Sequence, residues 1–143
     1  MEHERLWDDR LREFKTKYDE VPYWKHLGVK VESISSNETV VSLDVDPAIH
    51  TNYHATVHGG VYASILDNVM GLSIKPFDTD PVVTTQMSVH FLSAASEGTI
   101  RAYGKVIHRT GRTFTTQAEV RHEDGTLLAY ATASFLKIKP KKE

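Results

Sequence analysis

The residues most suited to chemistry lie in one short stretch of the sequence, where His58-Gly59-Gly60 precedes Asp67. Glycines at the start of a helix let a ligand approach the backbone closely because they lack a Cβ, and the first N–H groups of a helix have no partner within it. Such N–H groups attract negative charge, so they could stabilise a carbonyl oxygen that becomes negative during attack. A turn whose glycines only allow close helix packing is the alternative.

Asp67 lies in a predicted helix, from His58 to about Lys75, that is apolar on nearly every face. Its polar members Ser64, Asp67 and Asn68 form one narrow strip. Placing a carboxylate in apolar surroundings costs free energy unless it has hydrogen-bond or ionic partners or a catalytic role. Burial also makes a carboxylate more basic. Asp67 could therefore activate water or attack a carbonyl itself. A structural role, in which Asp67 bonds a neighbouring loop, stays open.

The spacing of these two elements limits how they can cooperate. On a straight helix, Gly59 and Asp67 are separated by about 12 Å of rise, at about 1.5 Å per residue. One carbonyl group cannot contact both. If both take part, they come from two copies of the chain, with two helices antiparallel across a two-fold axis. The spacing therefore predicts a dimer with two composite sites.

Other kinds of site are less well supported. His50, His54 and His58 recur every four residues, but Pro47 and Gly59 make a continuous helix there improbable, so we expect no metal site. A Ser-His-Asp triad lacks the nucleophile-elbow motif. The chain contains no cysteine, which excludes disulfides, thiolate zinc sites and a cysteine nucleophile. We expect no cofactor.

A second cluster lies in the segment His108-Arg109-Thr110-Gly111-Arg112, which places two guanidinium groups around a predicted hairpin turn. The planar donor fork of arginine suits phosphate recognition. A solvated turn is equally compatible with this sequence.

The predicted elements that position these residues form a single α+β domain. Trp7, Leu11, Phe14 and Tyr18 have the spacing of an amphipathic helix that ends before Pro22. Residues 46–57 read as a loop, and strands are predicted at 29–34, 38–45, 82–92, 98–108, 113–122 and 127–137. Alternation in the strand 82–92 predicts Val83, Thr85, Met87, Val89 and Phe91 on one face and Thr84, Gln86, Ser88 and His90 on the other. We expect a hairpin, a buried helix and then an antiparallel meander of four strands that wraps the helix.

Composition is consistent with one soluble cytoplasmic domain spanning residues 1–143. Hydrophobic residues make up 40% and charged residues 25% of the 143 residues. The N-terminal segment is too charged for a signal peptide, and no apolar run approaches the roughly 20 residues of a membrane span. A net charge of -2 argues against nucleic-acid binding, although the C-terminal lysines 137, 139, 141 and 142 form a local basic tail.

Taken together, these residues resemble the hotdog thioesterases of the phenylacetate-pathway type, a family of acyl-CoA thioesterases. The resemblance extends from about Leu27 to Ile138. It rests on a set of motifs in a fixed order: Asn52, His58-Gly59-Gly60, Asp67, Thr84, Phe91-Leu92-Ser93, Gly111-Arg112 and Ala131-Thr132-Ala133. The full combination is much more specific than any one part.

The resemblance implies a hotdog fold, in which a six-stranded antiparallel curved sheet wraps around one long central helix, here with an N-terminal helical extension over residues 1–25. It also implies a homodimer whose sheets join edge to edge, pairing again into a homotetramer as a dimer of dimers. The implied substrate is an acyl-CoA, aliphatic or aromatic, whose acyl tail lies in an apolar channel between the subunits.

The resemblance also implies roles for individual residues. Gly59 would offer the backbone N–H that polarises the thioester carbonyl, and Asp67 of the other chain would be the base or the nucleophile. Asn52 and His58 would hold the substrate and the loop in place, and Thr84 would orient the water. Substrate or CoA contacts are implied for Gly60, Arg109, Gly111 and Arg112, with the two arginines near the CoA phosphates.

Two departures from the family pattern affect the loop and the pocket lining. Ala55 stands where the family usually has glycine, and Gln86 stands where an acidic residue is common.

Two other functions are alternatives to thioester hydrolysis. A non-catalytic acyl-CoA-binding module is disfavoured because Asp67 is intact and about 25 N-terminal residues are too few for a helix-turn-helix unit. A hydratase or dehydratase would need a histidine and a carboxylate at one substrate carbon, and His58 and Asp67 are out of phase on the helix.

Overall fold

The computed structural model describes residues 12–139. Trp7 and Leu11 of the predicted N-terminal helix, and Lys141 and Lys142 of the basic tail, lie outside the described residues. The helices are α1 (12–19), α2 (Pro22–Leu27), α3 (Pro47–His50) and α4 (Gly59–Leu72). The strands are β1 (Lys30–Ser33), β2 (Thr39–Asp44), β3 (Val82–Phe91), β4 (Thr99–Thr110), β5 (Thr113–His122) and β6 (Leu127–Lys137).

Helix α4 is the centre of the fold because most of its surface is apolar and buried. Seven of its residues are buried, namely Val61, Tyr62, Ile65, Leu66, Val69, Met70 and Leu72. His58 caps its N-terminus, and the N–H of Ser73 closes its last turn on Val69 O. The helix thus ends slightly before the predicted Lys75, and Pro76 follows in a turn. A helix with this surface is stable only where a sheet covers it.

All six strands form one antiparallel sheet in the order β1-β2-β4-β5-β6-β3. This confirms the six-stranded sheet around a central helix and the hotdog fold. The prediction of a four-strand meander was wrong, because β3 pairs with β6 at the edge of the sheet and β2 pairs with β4. Alternation specifies the faces of a strand but not its neighbours, and the connection from β3 to β4 is long enough to cross the sheet.

The inner face of the sheet packs tightly on α4. In β4 and β5 alternate residues are buried against the helix, among them Ile100, Ala102, Phe114, Ala118 and Val120. Gly104 lies where the helix comes nearest, since a Cβ at this position would be 3.0 Å from the carbonyl oxygen of Val69. The absence of a side chain at Gly104 therefore allows the helix to rest on the sheet.

A bulge in β3 changes which residues face the helix. The pairing of β3 with β6 shifts between Thr84 and Gln86, so that Thr84 lies opposite the buried Phe135. An extra residue in one strand reverses the alternation on one side of it. Thr84 therefore faces α4, while Val83 is 43% exposed. The predicted alternation, which grouped Val83 with Met87 and Thr84 with Ser88, was wrong at the start of the strand for this reason.

The segment between β2 and α4 was predicted as loop but contains the short helix α3, which Asp46 caps by accepting a hydrogen bond from Ala48 N. The buried His50 at its end connects three elements. Its Nδ1 accepts from Asp46 N at 2.8 Å, its Nε2 donates to Leu27 O at 2.7 Å, and its backbone carbonyl accepts from His58 N at 2.8 Å. No helix within residues 12–139 is long and apolar enough to cross a membrane.

Candidate functional site

Asp67 and Thr84 form the best-defined polar pair near the central helix. Asp67 is half-buried on the polar strip of α4, and its Oδ1 accepts a hydrogen bond of 2.7 Å from the hydroxyl of Thr84. A threonine hydroxyl has one proton to donate, so this bond fixes the orientation of both side chains. The second carboxylate oxygen, Oδ2, keeps its lone pairs for another donor, such as water.

This pair opens into a cavity of about 320 Å³, called here the Asp67 cavity. Such a volume is at the lower end of the range for small-molecule sites. Helix α4, the N-terminal helices and the start of β3 form its walls, through Tyr18, Trp24, Asp67, Asn68, Gly71, Leu72, Lys75, Pro81, Val82, Thr84 and Phe135. Apolar and aromatic side chains line it together with the polar groups of Asp67, Asn68, Lys75 and Thr84.

The start of α4 offers one free backbone donor. Nδ1 of His58 accepts from Gly60 N at 2.8 Å, and the carbonyl oxygen of His58 accepts from Val61 N at 2.9 Å. Among residues 12–139, the N–H of Gly59 has no hydrogen-bond acceptor. Of the two glycines, Gly59 therefore has the N–H that a ligand could use, while the N–H of Gly60 serves the cap.

Gly59 lies in a different cavity from Asp67. The Gly59 cavity has a volume of about 330 Å³ and is lined by Val57, Gly59, Tyr62, Phe91, Leu92, Ser93 and Ala94. It lies at the end of β3, whereas the Asp67 cavity lies at the start of that strand. Within one chain the structure therefore does not bring the two predicted catalytic elements together.

Asn52 organises the loop that leads into α4. Its Oδ1 accepts from His54 N at 2.9 Å and from Thr56 N at 3.2 Å, and its Nδ2 donates to the hydroxyl of Thr56. Ala55 at the tip of this loop has a φ of 62°, in the left-handed region that favours glycine. This conformation gives a physical reason for the glycine that the family pattern has at this position.

The arginine turn lies on the surface near the loop that follows α4. The guanidinium of Arg109 stacks 5.2 Å from the centroid of the Phe77 ring, and Nη2 of Arg112 donates to Lys137 O at 3.2 Å. Both arginines and Gly111 are exposed. Arg112 and Gly111 also border a shallow surface cavity together with Asp80, Lys137, Ile138 and Lys139. The turn thus presents cations to solvent close to the start of β3.

Several residues that line the Asp67 cavity are not among the candidates predicted from the sequence. Trp24 is one of them, because nothing in the sequence indicates that α2 folds back onto α4. Lys75 is another, since the sequence pattern marks it only as the end of the helix. A signal for Lys75 was present, since Asp67, Gly71 and Lys75 recur at the four-residue spacing of one helix face.

Comparison with known proteins places this geometry in a family. Residues 54–129, more than half of the chain, match the model of the thioesterase superfamily. No sequence among curated proteins matches the chain significantly.

Several solved structures have the same fold. A variant of the phenylacetic acid degradation protein PaaI from Thermus thermophilus is 25% identical with a TM-score of 0.75, over 82% of this chain and 100% of that chain. PaaI from Escherichia coli is 20% identical with a TM-score of 0.81, over 88% and 91% of the two chains. A thioesterase from Haemophilus influenzae is 17% identical with a TM-score of 0.82, over 90% of both chains. The similarity to the last two structures shows only that the fold is the same.

Proposed function

The chain belongs to the thioesterase superfamily, and from that premise we propose that it hydrolyses acyl-CoA thioesters to a free acid and CoA. The Asp67–Thr84 hydrogen bond carries the proposal. It orients a half-buried carboxylate at the wall of a cavity that also has apolar and aromatic walls, where a water molecule and an acyl group could meet.

In the proposed reaction, Asp67 acts as the general base or as the nucleophile. As a base, Oδ2 takes a proton from water while the water oxygen bonds to the thioester carbon. The carbonyl oxygen becomes negative and accepts a hydrogen bond from Gly59 N–H at the start of α4. When the carbonyl re-forms, the carbon–sulfur bond breaks and CoA leaves as the thiolate, which then takes up a proton.

We propose that each active site is shared by two chains. Strand β3 has one partner, β6, among the described strands, so its other edge leaves backbone N–H and C=O groups unpaired. The strand is ten residues long, and it exposes Val83 by 43% and Phe91 by 58% at its two ends. A long unpaired edge with exposed apolar side chains at both ends is suited to pairing with a second copy of itself.

The positions of the two cavities support the same arrangement. If β3 pairs antiparallel with its copy across a two-fold axis, the start of one strand lies beside the end of the other. The Asp67 cavity adjoins Val82 and Thr84, and the Gly59 cavity adjoins Phe91 and Leu92. Pairing therefore brings the carboxylate of one chain towards the free N–H of the other. The further assembly into a tetramer stays a prediction from the resemblance.

The CoA half of the substrate is proposed to extend along the surface towards the arginine turn. Arg109 and Arg112 are exposed and lie near the start of β3. Guanidinium groups at such a position can pair with the phosphates without losing their hydration entirely. A Cβ added at Gly111 would meet no atom within 4 Å, so the backbone there is open to a ligand.

A panel of acyl-CoAs with a thiol reagent tests the proposed function. We expect release of CoA above background for at least one acyl class. Asp67→Asn, which keeps the shape of the side chain and removes its charge, should abolish that release. Absence of turnover with every acyl-CoA, or full activity in Asp67→Asn, would contradict the proposal. Tight binding without turnover would instead favour a non-catalytic acyl-CoA-binding protein.

A further inference from the structure

Lys75 is a buried cation that the proposed reaction does not use. It follows the end of α4 and is 7% exposed. Among residues 12–139, its ammonium makes no ion pair within 4 Å, and its hydrogen bond goes to the backbone carbonyl of Asp80 at 3.2 Å. An ammonium group has three protons to donate. Burying such a charge without a counter-ion is unfavourable, so its retention calls for an explanation.

The two nearby carboxylates, Asp78 and Asp80, make their direct ion pairs with a second lysine rather than with Lys75. Nζ of Lys137 lies 2.8 Å from Asp78 Oδ2 and 3.1 Å from Asp80 Oδ2. Burial lowers the pKa of Lys75, and Asp78 and Asp80 offset this effect in part while Lys17 adds to it. An additional anion beside Lys75 would favour its charged form.

Lys75 lines the same cavity as Asp67 and Thr84. The cavity extends along α4 from Asp67 past Gly71 to Lys75, and the rings of Trp24 and Phe135 form apolar walls. A ligand that extends from Asp67 along α4 would therefore contact both this apolar surface and the Lys75 side chain.

We infer that Lys75 determines substrate specificity, and that the acyl group carries a carboxylate at the end remote from the thioester, which the Lys75 ammonium binds inside the Asp67 cavity. The inference rests on the proposed thioesterase function and names its substrate class, the CoA thioesters of dicarboxylic acids. The ion pair would form away from bulk water, where it discriminates strongly between a carboxylate and a methyl group.

The difference in exposure assigns Lys75 to the acyl half of the substrate rather than to CoA. The phosphates of CoA are highly charged and remain in solvent, where the exposed Arg109 and Arg112 can reach them. Lys75 is buried beside aromatic walls, and those surroundings suit the part of the substrate that enters the protein.

Matched pairs of substrates test this inference with the unmodified protein. Adipyl-CoA is compared with hexanoyl-CoA, and suberyl-CoA with octanoyl-CoA, so that each pair has equal chain length and differs in the terminal group. We expect kcat/KM to be about tenfold to a hundredfold higher for the carboxylated member of at least one pair. Equal or lower values for the carboxylated members of both pairs would overturn the inference.

Variants of Lys75 test the residue itself. Lys75→Met keeps the length of the side chain and removes the charge, and it should abolish the preference by lowering kcat/KM for the carboxylated substrate alone. Lys75→Arg should retain part of it. Lys30→Met, on the exposed edge strand β1, is the matched control and should retain the full preference. An equal loss for both members of a pair in Lys75→Met would place the ammonium on the CoA half and overturn the inference.

The outcomes for the two proposals are distinguishable. Hydrolysis of the uncharged acyl-CoAs without any preference overturns the role of Lys75 and leaves the thioesterase function standing. Absence of turnover with every acyl-CoA overturns both. If Lys75→Met does not fold, the comparison within the unmodified protein still decides the substrate class.

Discussion

The hydroxyl of Thr84 lies 2.7 Å from Oδ1 of Asp67, and the bulge in β3 brings it there by turning Thr84 towards α4. In a strand without the bulge, Thr84 would face the opposite side of the sheet and the carboxylate would lose its oriented donor. The bulge in β3 thus lies where this strand contacts Asp67, the candidate catalytic residue.

Removing this hydroxyl should therefore slow the reaction. Thr84→Val keeps the branched shape and removes the donor, so we expect kcat to fall about tenfold to a hundredfold, the usual cost of losing a hydrogen bond to a charged group. Thr84→Ser retains the hydroxyl and should keep most of the activity. Steady-state kinetics with the preferred acyl-CoA measures the difference, and equal kcat values for the valine variant and the unmodified protein would show that Thr84 has no role in the reaction.

The proposed oxyanion donor can be removed without breaking the helix. Gly59 is the first residue of α4, a position that accepts proline, and His58 has an extended backbone that tolerates a following proline. Gly59→Pro lacks the N–H, so kcat should fall about a hundredfold to a thousandfold. Gly59→Ala keeps the N–H and adds a Cβ that would meet the Phe91 ring at 3.3 Å. A loss of the same size in both variants would indicate crowding rather than loss of the donor.

Mixing two inactive variants tests whether the sites are shared. Asp67→Asn and Gly59→Pro homodimers should each be inactive, but a heterodimer would combine one intact Asp67 with one intact Gly59. If subunits exchange at random, about half of the dimers are heterodimers with one working site each, so about a quarter of the activity should return. The recovered fraction is measured as thioesterase activity after the two variants are mixed and refolded together. No recovery, although mass spectrometry detects heterodimers, would mean that each site belongs to one chain.

Ala55 is expected to reduce stability, because an alanine at a φ of 62° is strained. Ala55→Gly should raise the free energy of unfolding by about 0.5–1 kcal/mol, since relief of the strain exceeds the entropy that glycine adds to the unfolded chain. Urea denaturation at a fixed protein concentration provides the measurement. A lower free energy of unfolding in the variant would argue against the left-handed conformation at this position.

Gly104 should be intolerant of even one methyl group. A Cβ at this position would lie 3.0 Å from the carbonyl oxygen and 3.1 Å from the carbonyl carbon of Val69. These are backbone atoms of α4, which cannot shift without moving the helix. Gly104→Ala should therefore lower the free energy of unfolding by about 1–3 kcal/mol. Gly111→Ala is the control, because a Cβ there meets nothing within 4 Å, and it should change stability by less than about 0.5 kcal/mol. Equal effects of the two substitutions would contradict the close packing of α4 on β4.

Much of the secondary structure could be predicted, because it depends on local patterns. The all-round apolar sequence of α4 and the alternation in β5 and β6 placed these elements close to their observed bounds. The position of β3 at the edge of the sheet could not be predicted, because strand order depends on contacts between distant segments rather than on the periodicity of any one strand.

The candidate site was predictable in its residue types but not in its geometry. Asp67 was conspicuous because it interrupts an apolar helix. Simple alternation grouped Thr84 with Ser88 instead of with Met87, since nothing in the sequence signals the bulge between them. Trp24 and Lys75 were missed because their role depends on where α2 and the turn after α4 pack. These tertiary contacts decide the shape of the cavity.

The three contacts of His50 connect parts of the chain that would serve different catalytic centres. Through Leu27 this residue adjoins the helix that carries Trp24, a wall of the Asp67 cavity, and through His58 it adjoins the start of α4, where Gly59 offers its N–H. In a shared dimer, those two regions belong to opposite centres. One buried side chain in each subunit would then hold a wall of one centre and the oxyanion donor of the other in a fixed relation.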